Sequence, residues 1–314
     1  MMYDIAIIGA GPNGLSLAKY AQESGLSCIV LEKESEICYN IKRLPNNFIF
    51  ASKGSNDLGL FDANFKNRID AQYMFKYYSS FVKKHNIKVL KNCIIFNYLK
   101  KNKLHKLETS IGEIEAKNIV LACGILQNPV DFPQDSLNIS KRYLDYDDDK
   151  GKIILVIGMG NSAAVTVINK SKNNDIIWLV KDKFSTKHIF HLWKNNLNKV
   201  IKKSNVKIFD FCKILEIKNN ICYTNYKNFN FDKSYALIGY KPNELFLKKF
   251  NILLKEDYPV HDLISCKTSI PGIYVCGTLA NKANINGVFK RVFLSDSNHL
   301  SKQIIYDILK NEKF

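Results

Sequence analysis

Two short runs of small residues have the residue types and spacing that bind a nucleotide diphosphate. They are Gly9-Ala10-Gly11-Pro12-Asn13-Gly14 and Gly158-Met159-Gly160-Asn161-Ser162-Ala163. In such a turn the first glycine permits a tight bend and the second lets the backbone approach the diphosphate. The third position allows a helix to pack closely on a strand. Because the N–H groups at the start of that helix attract anions, the two runs predict two dinucleotide sites.

Each turn is followed, at the same offset, by a charged residue. Glu32 lies 18 residues after Gly14, and Lys181 lies 18 residues after Ala163. A carboxylate at this position accepts hydrogen bonds from ribose hydroxyls, whereas a lysine attracts a 2′-phosphate. The second site is therefore expected to bind NADP(H) in preference to NAD(H). The alternative is that Lys181 is one more solvated lysine of a lysine-rich chain.

The elements that position these residues can be identified from apolar runs. A strand over residues 3–8 precedes the first turn, a helix follows it, and a second strand covers residues 27–31. The same order recurs with strands at 152–157 and 176–180. Later apolar runs end in Gly124, in Gly239 and in Gly277-Thr278. This alternation predicts an α/β fold with two Rossmann-like dinucleotide-binding domains.

Composition excludes several classes of protein. The 314 residues suffice for two domains, and no apolar run approaches the roughly 20 residues of a membrane span. The net charge is +17, but only four of the 46 basic residues are arginine and the lysines are dispersed. We therefore expect a solvated surface, with neither nucleic acid nor membrane as a partner. The eight cysteines form no metal-binding or disulfide pattern, which favours a reduced, cytoplasmic setting and no metal.

Two dinucleotide fingerprints about 150 residues apart resemble the two-dinucleotide-binding-domain flavoproteins with the thioredoxin-reductase-like fold. Within that group, Phe48-Ile49-Phe50-Ala51-Ser52-Lys53 and Gly160-Asn161-Ser162-Ala163 are most similar to the YpdA-type bacillithiol disulfide reductases. Flavin-containing monooxygenases are a more distant likeness. The resemblance implies an FAD-binding domain over 1–144 and 264–314, interrupted by an NADPH-binding domain over 145–263.

The resemblance also implies which residues bind the cofactors FAD and NADPH; it assigns no catalytic residue. Those expected at FAD are Gly9, Gly11, Pro12, Asn13, Gly14, Glu32, Lys33, Phe50, Ser52, Gly124, Gly277 and Thr278. Those expected at NADPH are Gly158, Gly160, Asn161, Ser162, Ala163, Lys181 and Gly239.

Three departures from the family bear on the chemistry. Thioredoxin reductases carry Cys-x-x-Cys just before the second fingerprint, where residues 141–147 contain no cysteine. The YpdA-type cysteine of the first glycine loop is matched by Asn13, and the usual Gly-Asp pair is replaced by Gly277-Thr278. We therefore expect an FAD-dependent NADPH oxidoreductase that lacks a dithiol.

The expected acceptor is a small molecule, with a low-molecular-weight disulfide as the case that the resemblance implies. The alternatives are a flavin-dependent monooxygenase acting on a small nucleophile and a flavin-binding redox sensor without turnover. A homodimer is a candidate assembly that the residues do not decide.

Overall fold

The computed structural model describes residues 2–44, 48–51, 69–132, 139–142 and 149–311. The chain divides into two compact units. The first unit consists of Met1–Asn128 and Lys241–Phe314, and the second consists of Pro129–Tyr240. The first unit is therefore made of two separate stretches, between which the second unit lies in the sequence.

The first stretch of the first unit begins with alternating strands and helices. Its strands are β1 (Met2–Ile8), β2 (Cys28–Leu31), β3 (Ile49–Ala51), β4 (Ile69–Asp70), β5 (Val89–Leu90), β6 (Ile95–Lys101), β7 (Leu104–Thr109) and β8 (Gly112–Leu121). Its helices are α1 (Pro12–Glu23), α2 (Tyr39–Lys42) and α3 (Ala71–Lys84). Helix α1 begins at a proline, whose fixed φ suits the first turn, and it ends just before Gly25, which has a φ of +77°.

The second unit repeats this local order. Its strands are β9 (Ile139–Ser140), β10 (Ile153–Ile157), β11 (Asp175–Leu179), β12 (Val206–Phe209), β13 (Ile214–Lys218), β14 (Ile221–Thr224), β15 (Phe229–Asn230) and β16 (Lys233–Ala236). Its helices are α4 (Asn161–Lys170) and α5 (His191–Val200). The strands β12-β11-β10-β16-β9 form one parallel sheet in that order, and β13, β14 and β15 form a small antiparallel sheet.

The chain then returns to the first unit. The elements of this stretch are α6 (Glu244–Lys248), β17 (Leu254–Lys255), β18 (Tyr258–Pro259), β19 (Ile273–Val275), a 3-10 turn (Gly277–Ala280), β20 (Lys282–Ile285), β21 (Val288–Arg291) and α7 (Ser297–Asn311). Helix α7 packs on α1. Small side chains meet in this contact, where the Ser301 hydroxyl donates to the Ser16 hydroxyl at 3.0 Å.

The main sheet of the first unit has the order β5-β2-β1-β8-β7-β6, and β19 also pairs with β8. Strand β1 lies parallel to both β2 and β8, and β19 is parallel to the end of β8. The carboxyl ends of β1, β2, β8 and β19 therefore lie together at one edge, which is where α/β sheets bind ligands. These sheets and helices confirm the α/β fold that the sequence predicts.

The two compact units have other bounds than the domains that the sequence predicts. Strand β9 lies before residue 145, but it pairs with β16 and so belongs to the second unit. Residues 241–263 were expected in the NADPH-binding domain, yet they pack on the first unit. The Phe250 ring lies 5.0 Å from that of Tyr98, and Lys249 Nζ donates to the Phe96 carbonyl at 2.8 Å. The boundaries lie at 128/129 and 240/241.

In the part of the chain that the structure describes, no helix combines the length and apolarity that crossing a bilayer requires.

Candidate functional site

The first glycine turn follows β1 at the carboxyl edge of its sheet. Gly9 has a φ of +110°, and a Cβ atom there would lie 2.6 Å from the Ala122 carbonyl oxygen. A Cβ atom on Gly14 would collide with the carbonyl oxygen of Gly9. Both positions therefore require glycine, one for the bend and one for the approach of α1 to the turn.

Gly11, in contrast, faces open space. No heavy atom lies within 4 Å of the position that a Cβ atom on Gly11 would occupy. Gly11 is the N-cap of α1, and no side chain caps the first turn, which begins at Pro12. The turn thus presents the start of α1 to an open cradle, which fits a diphosphate.

Glu32 holds this turn in shape. Its side chain is only 8% exposed. Oε2 accepts a hydrogen bond from the Ala10 N–H at 2.8 Å, and Oε1 accepts one from the Glu34 N–H at 3.0 Å. Burial raises the pKa of the Glu32 carboxyl, and these two hydrogen bonds oppose that rise. Each carboxylate oxygen keeps a second lone pair, which is free to accept a hydrogen bond from a ribose hydroxyl. This contact stays a prediction.

Four residues from three separate segments meet beside this turn. A Cβ atom on Gly277 would lie 2.8 Å from Asn13 Cγ, and one on Gly124 would lie 3.5 Å from Thr278 Oγ1. Asn13 Oδ1 is buried and has no hydrogen-bond partner among the described residues. An unsatisfied buried acceptor at the edge of an open cradle fits a cofactor that carries hydroxyl donors.

Lys33, Phe50 and Ser52 are the other residues expected at FAD. Lys33 is exposed and lies 3.5 Å from Glu34 in an ion pair. Phe50 lies in β3, where its ring is edge-on to that of Phe48 with centroids 5.1 Å apart. Ser52 lies outside the described residues. For all three, contact with FAD stays a prediction.

The cysteines are reduced, and most of them are inaccessible. All eight are free, and only Cys123 is exposed. Cys38 contacts the first turn, because its thiol donates to the Ala10 carbonyl at 3.6 Å. Burial and the nearby Glu32 carboxyl raise the pKa of Cys38 well above its usual value, which disfavours the reactive thiolate.

The second turn repeats the geometry of the first at the end of β10. Gly158 has a φ of +112°, and a Cβ atom there would collide with the Leu237 carbonyl oxygen. Gly160 is the N-cap of α4, and nothing lies within 4 Å of its Cβ position. Ala163 is fully buried where the first turn has Gly14. An open second position again fits a diphosphate at a helix N-terminus.

Asn161 and Ser162 have structural partners at the start of α4. Asn161 Oδ1 accepts a hydrogen bond from the Phe190 N–H at 2.8 Å, next to the beginning of α5. The Ser162 carbonyl accepts one from the Thr166 hydroxyl at 2.9 Å. Asn161 thereby ties the segment before α5 to the turn, and nucleotide binding by either residue stays a prediction.

Lys181 lies two residues after the end of β11 and is exposed, as are Lys183 and Lys187. Among the described residues Lys181 forms no ion pair, so its charge is available to an anion. Gly239, expected at the nucleotide, lies one residue before the end of the second unit at Tyr240. Its carbonyl accepts a hydrogen bond from the Val130 N–H at 3.0 Å. Its contact with NADPH stays a prediction.

The sequence did not single out Trp178 or Met159. The Trp178 indole Nε1 donates to the Gly158 carbonyl at 2.6 Å, and Met159 Sδ accepts from the Ser185 N–H at 3.3 Å. One weak sequence signal could have identified Trp178, because it is the single aromatic residue of β11, whose other apolar residues are aliphatic. Such a residue is equally typical of an ordinary core. No group of His, Cys, Asp and Glu in the described ranges could bind a metal ion.

Each unit has a sheet in which parallel strands flank a glycine turn with an open diphosphate cradle, an arrangement typical of oxidoreductases that bind two dinucleotides. The family model described as pyridine nucleotide-disulphide oxidoreductase matches residues 6–277. The chain belongs to this family, and it is an NAD(P)H-dependent flavoprotein oxidoreductase. The match confirms the family resemblance and the enzyme class that the sequence predicts.

Individual relatives are similar at lower identity. An uncharacterized oxidoreductase, CzcO, of Bacillus subtilis is 28% identical over 182 residues, which cover 54% of this chain and 52% of that protein. Thioredoxin reductase of Ureaplasma parvum is 25% identical over 295 residues, with 90% of each chain covered. The solved structure of bacillithiol disulfide reductase Bdr (YpdA) from Staphylococcus aureus matches with a TM-score of 0.86, at 20% identity over 99% of each chain.

Proposed function

We propose that the protein is an FAD-dependent NADPH oxidoreductase that reduces a small-molecule acceptor. One observation carries the proposal. The two glycine turns have the same local geometry, each with an open second glycine, but they are followed in the same register by Glu32 and by Lys181. An acid suits an unphosphorylated ribose and a lysine suits a 2′-phosphate, so the two sites favour different dinucleotides.

The first turn would hold the FAD diphosphate through Gly11 and the start of α1, with Asn13 and Thr278 beside it. The second turn would hold NADPH through Gly160 and the start of α4, with Lys181 near the 2′-phosphate. When bound, FAD accepts a hydride from NADPH and supplies electrons to the acceptor. The protein binds and orients the two dinucleotides, and Glu32 keeps the first turn in its binding shape.

A low-molecular-weight disulfide is the acceptor class that we favour. The similar protein of Staphylococcus aureus is named as a reductase of bacillithiol disulfide. None of the eight cysteines forms a Cys-x-x-Cys pair, and burial raises the pKa of Cys38. Both observations support direct reduction of a small acceptor over relay through a protein dithiol. The eight free cysteines also support a reducing, cytoplasmic setting.

The test is anaerobic NADPH oxidation by the purified holoprotein with a panel of acceptors. The panel contains low-molecular-weight disulfides, quinones and ferredoxin-like proteins. We expect bound FAD, consumption of NADPH in preference to NADH, and turnover with a disulfide. A colourless protein that takes up no FAD would overturn the cofactor assignment, and turnover with a ferredoxin-like protein alone would overturn the acceptor class.

Oxygen separates the reductase from the monooxygenase. NADPH-reduced protein is mixed with oxygen in a stopped-flow spectrometer, and the flavin absorbance is followed. We expect direct reoxidation. A long-lived oxygenated flavin spectrum would favour the monooxygenase instead. Absence of steady NADPH consumption with every acceptor would favour the redox sensor. Light scattering tests the candidate homodimer.

A further inference from the structure

Trp178 lies beneath the second glycine turn and determines the orientation of one of its peptide groups. The side chain is fully buried in β11. Its indole N–H donates to the Gly158 carbonyl at 2.6 Å. Because a peptide group is planar, fixing this carbonyl also fixes the Met159 N–H, which points the opposite way. Gly158 has a φ of +112°, a backbone conformation that favours glycine.

The same side chain contacts the segment that carries the lysines. The Phe184 ring is edge-on to the Trp178 ring, with centroids 5.0 Å apart and an interplanar angle of 75°. A second link lies next to it, since the Ser185 N–H donates to Met159 Sδ at 3.3 Å. The glycine turn and residues 184–185 are thus joined by two independent contacts.

A third contact fixes the far end of the same segment. The Phe190 N–H donates to Asn161 Oδ1 at 2.8 Å, at the start of α4. Residues 184–190 are therefore attached to the turn and its helix at both ends. Lys183 lies just before this span and Lys187 lies within it, and both are exposed. The position of these charges relative to the turn depends on the contacts of Trp178, Met159 and Asn161.

We propose that Trp178, with Phe184 and Met159, is a positioning residue that couples the diphosphate turn to the segment that carries Lys183 and Lys187, which would join Lys181 at the 2′-phosphate. This inference rests on the proposed NADPH site. Trp178 acts through the Gly158 carbonyl and the Phe184 ring, without contact with the nucleotide. Its loss weakens binding of the phosphorylated nucleotide more than binding of NADH, because only NADPH uses both halves of the site.

The test compares three variants of the holoprotein. Trp178→Phe keeps an aromatic ring and removes the donor to Gly158. Phe184→Leu removes the ring contact, and Met159→Leu removes the sulfur acceptor while keeping the volume. We expect the KM for NADPH to rise about tenfold in Trp178→Phe and about threefold in the others, as loss of one or part of one buried contact implies. The KM for NADH is expected to rise less than that for NADPH, and both kcat values change little.

Trp193→Phe is the matched control, because it makes the same substitution at the other tryptophan, in α5. It also leaves Trp178 as the sole tryptophan of the chain. Dissociation constants of NADP⁺ and NAD⁺ are measured by calorimetry. In the Trp193→Phe variant, NADP⁺ is expected to change the emission of Trp178 more than NAD⁺ does.

Equal loss of affinity for both nucleotides in all three variants would overturn the coupling, and so would unchanged affinities. If Trp178→Phe does not fold, Phe184→Leu and Met159→Leu decide the question. Wild-type protein that binds FAD but neither pyridine nucleotide would overturn the proposed function itself. Titration of the wild-type protein therefore separates failure of the proposed function from failure of the coupling.

Discussion

The side-chain amide of Asn13 lies against the backbone of Gly277, so that the start of α1 and the turn after β19 meet. A Cβ atom on Gly277 would be 2.8 Å from both Cγ and Nδ2 of Asn13. Asn13 Oδ1 is buried without a hydrogen-bond partner in the described ranges. Buried acceptors are rarely left unsatisfied, so this oxygen marks where a hydrogen-bond donor of FAD is expected.

Replacement of Asn13 by alanine is expected to weaken FAD binding about tenfold, as loss of one hydrogen bond in a closed site implies. The thermal stability of the apoprotein should change little, because Oδ1 has no partner there to lose. Titration of apoprotein with FAD, followed by flavin fluorescence, gives the dissociation constant. Asn97→Ala, in the edge strand β6, is the matched control. A wild-type dissociation constant in Asn13→Ala would contradict the assignment.

Gly277→Ala tests the close packing of Gly277 against the Asn13 side chain. The residue has a φ of +69°, so alanine adds backbone strain as well as the collision with Asn13. We expect a loss of about 2 kcal/mol in unfolding free energy together with weaker FAD binding. Gly287→Ala is a sharp control, because Gly287 has a φ of +82° with no neighbour within 4 Å. The loss of unfolding free energy in Gly287→Ala therefore contains backbone strain alone.

The double variant Asn13→Gly with Gly277→Ala separates strain from collision. Removing the Asn13 side chain should recover the collision part of the Gly277→Ala cost and leave the strain part. Chemical unfolding of the four proteins gives the coupling free energy between the two positions. A strictly additive cycle would show that the two residues do not interact.

Glu32→Gln is expected to disturb the first turn without changing its bulk. The carboxylate accepts hydrogen bonds from the Ala10 and Glu34 N–H groups, and an amide oxygen can replace only one of its two oxygens. One buried N–H then loses its acceptor, which costs about 1–3 kcal/mol. We expect FAD affinity to fall at least about tenfold. Glu36→Gln, which alters an exposed ion pair with Lys42, serves as the control.

The glycine turns could be predicted because their geometry is local. Gly9, Gly14 and Gly158 meet atoms within their own strand–turn–helix unit or its closing strand, and the order of those elements is visible in the sequence. The second role of Glu32 was not visible. Its offset indicates a ribose ligand, but its bonds to Ala10 and Glu34 depend on how the turn curls over β2.

The unit boundaries could not be predicted for a related reason. Strand β9 has two residues, and its partner β16 lies almost a hundred residues later, so no local pattern assigns it to a sheet. Residues 241–263 follow the closing strand of the second unit without a break in composition, and tertiary contacts such as those of Lys249 and Phe250 attach them to the first unit. Trp178 likewise has the sequence signature of a core residue.

Lys181→Glu should reverse the nucleotide preference of the second site. A carboxylate repels a 2′-phosphate and accepts hydrogen bonds from a 2′-hydroxyl. We expect kcat/KM for NADPH to fall about 30-fold and that for NADH to rise a few-fold, which corresponds to a few kcal/mol of discrimination. Lys207→Glu makes the same charge change on the exposed side of β12. Equal kcat/KM values for both nucleotides in the wild type would remove the basis of the prediction.

His105 predicts how the stability of the first unit depends on pH. Burial, with a smaller contribution from the Lys100 charge, lowers the pKa of His105 from 6.5 to about 4. Its Nδ1 lies 2.9 Å from the Tyr98 hydroxyl, which donates to the neutral ring in the tautomer that carries the proton on Nε2. As pH falls below 6.5, the unfolded chain binds the proton first, so stability is lost between pH 6.5 and about 4 and changes no further below that.

Denaturant unfolding at a series of pH values measures this loss, which we expect to reach about 2 kcal/mol. His105→Gln keeps an acceptor for Tyr98 and a donor while it removes the titrating group. The difference between wild type and this variant cancels the carboxylates that titrate in the same range. His188→Gln, at an exposed histidine, should retain the wild-type curve. A difference between wild type and His105→Gln that stays constant from pH 7 to pH 4 would show that His105 does not titrate differently in the two states.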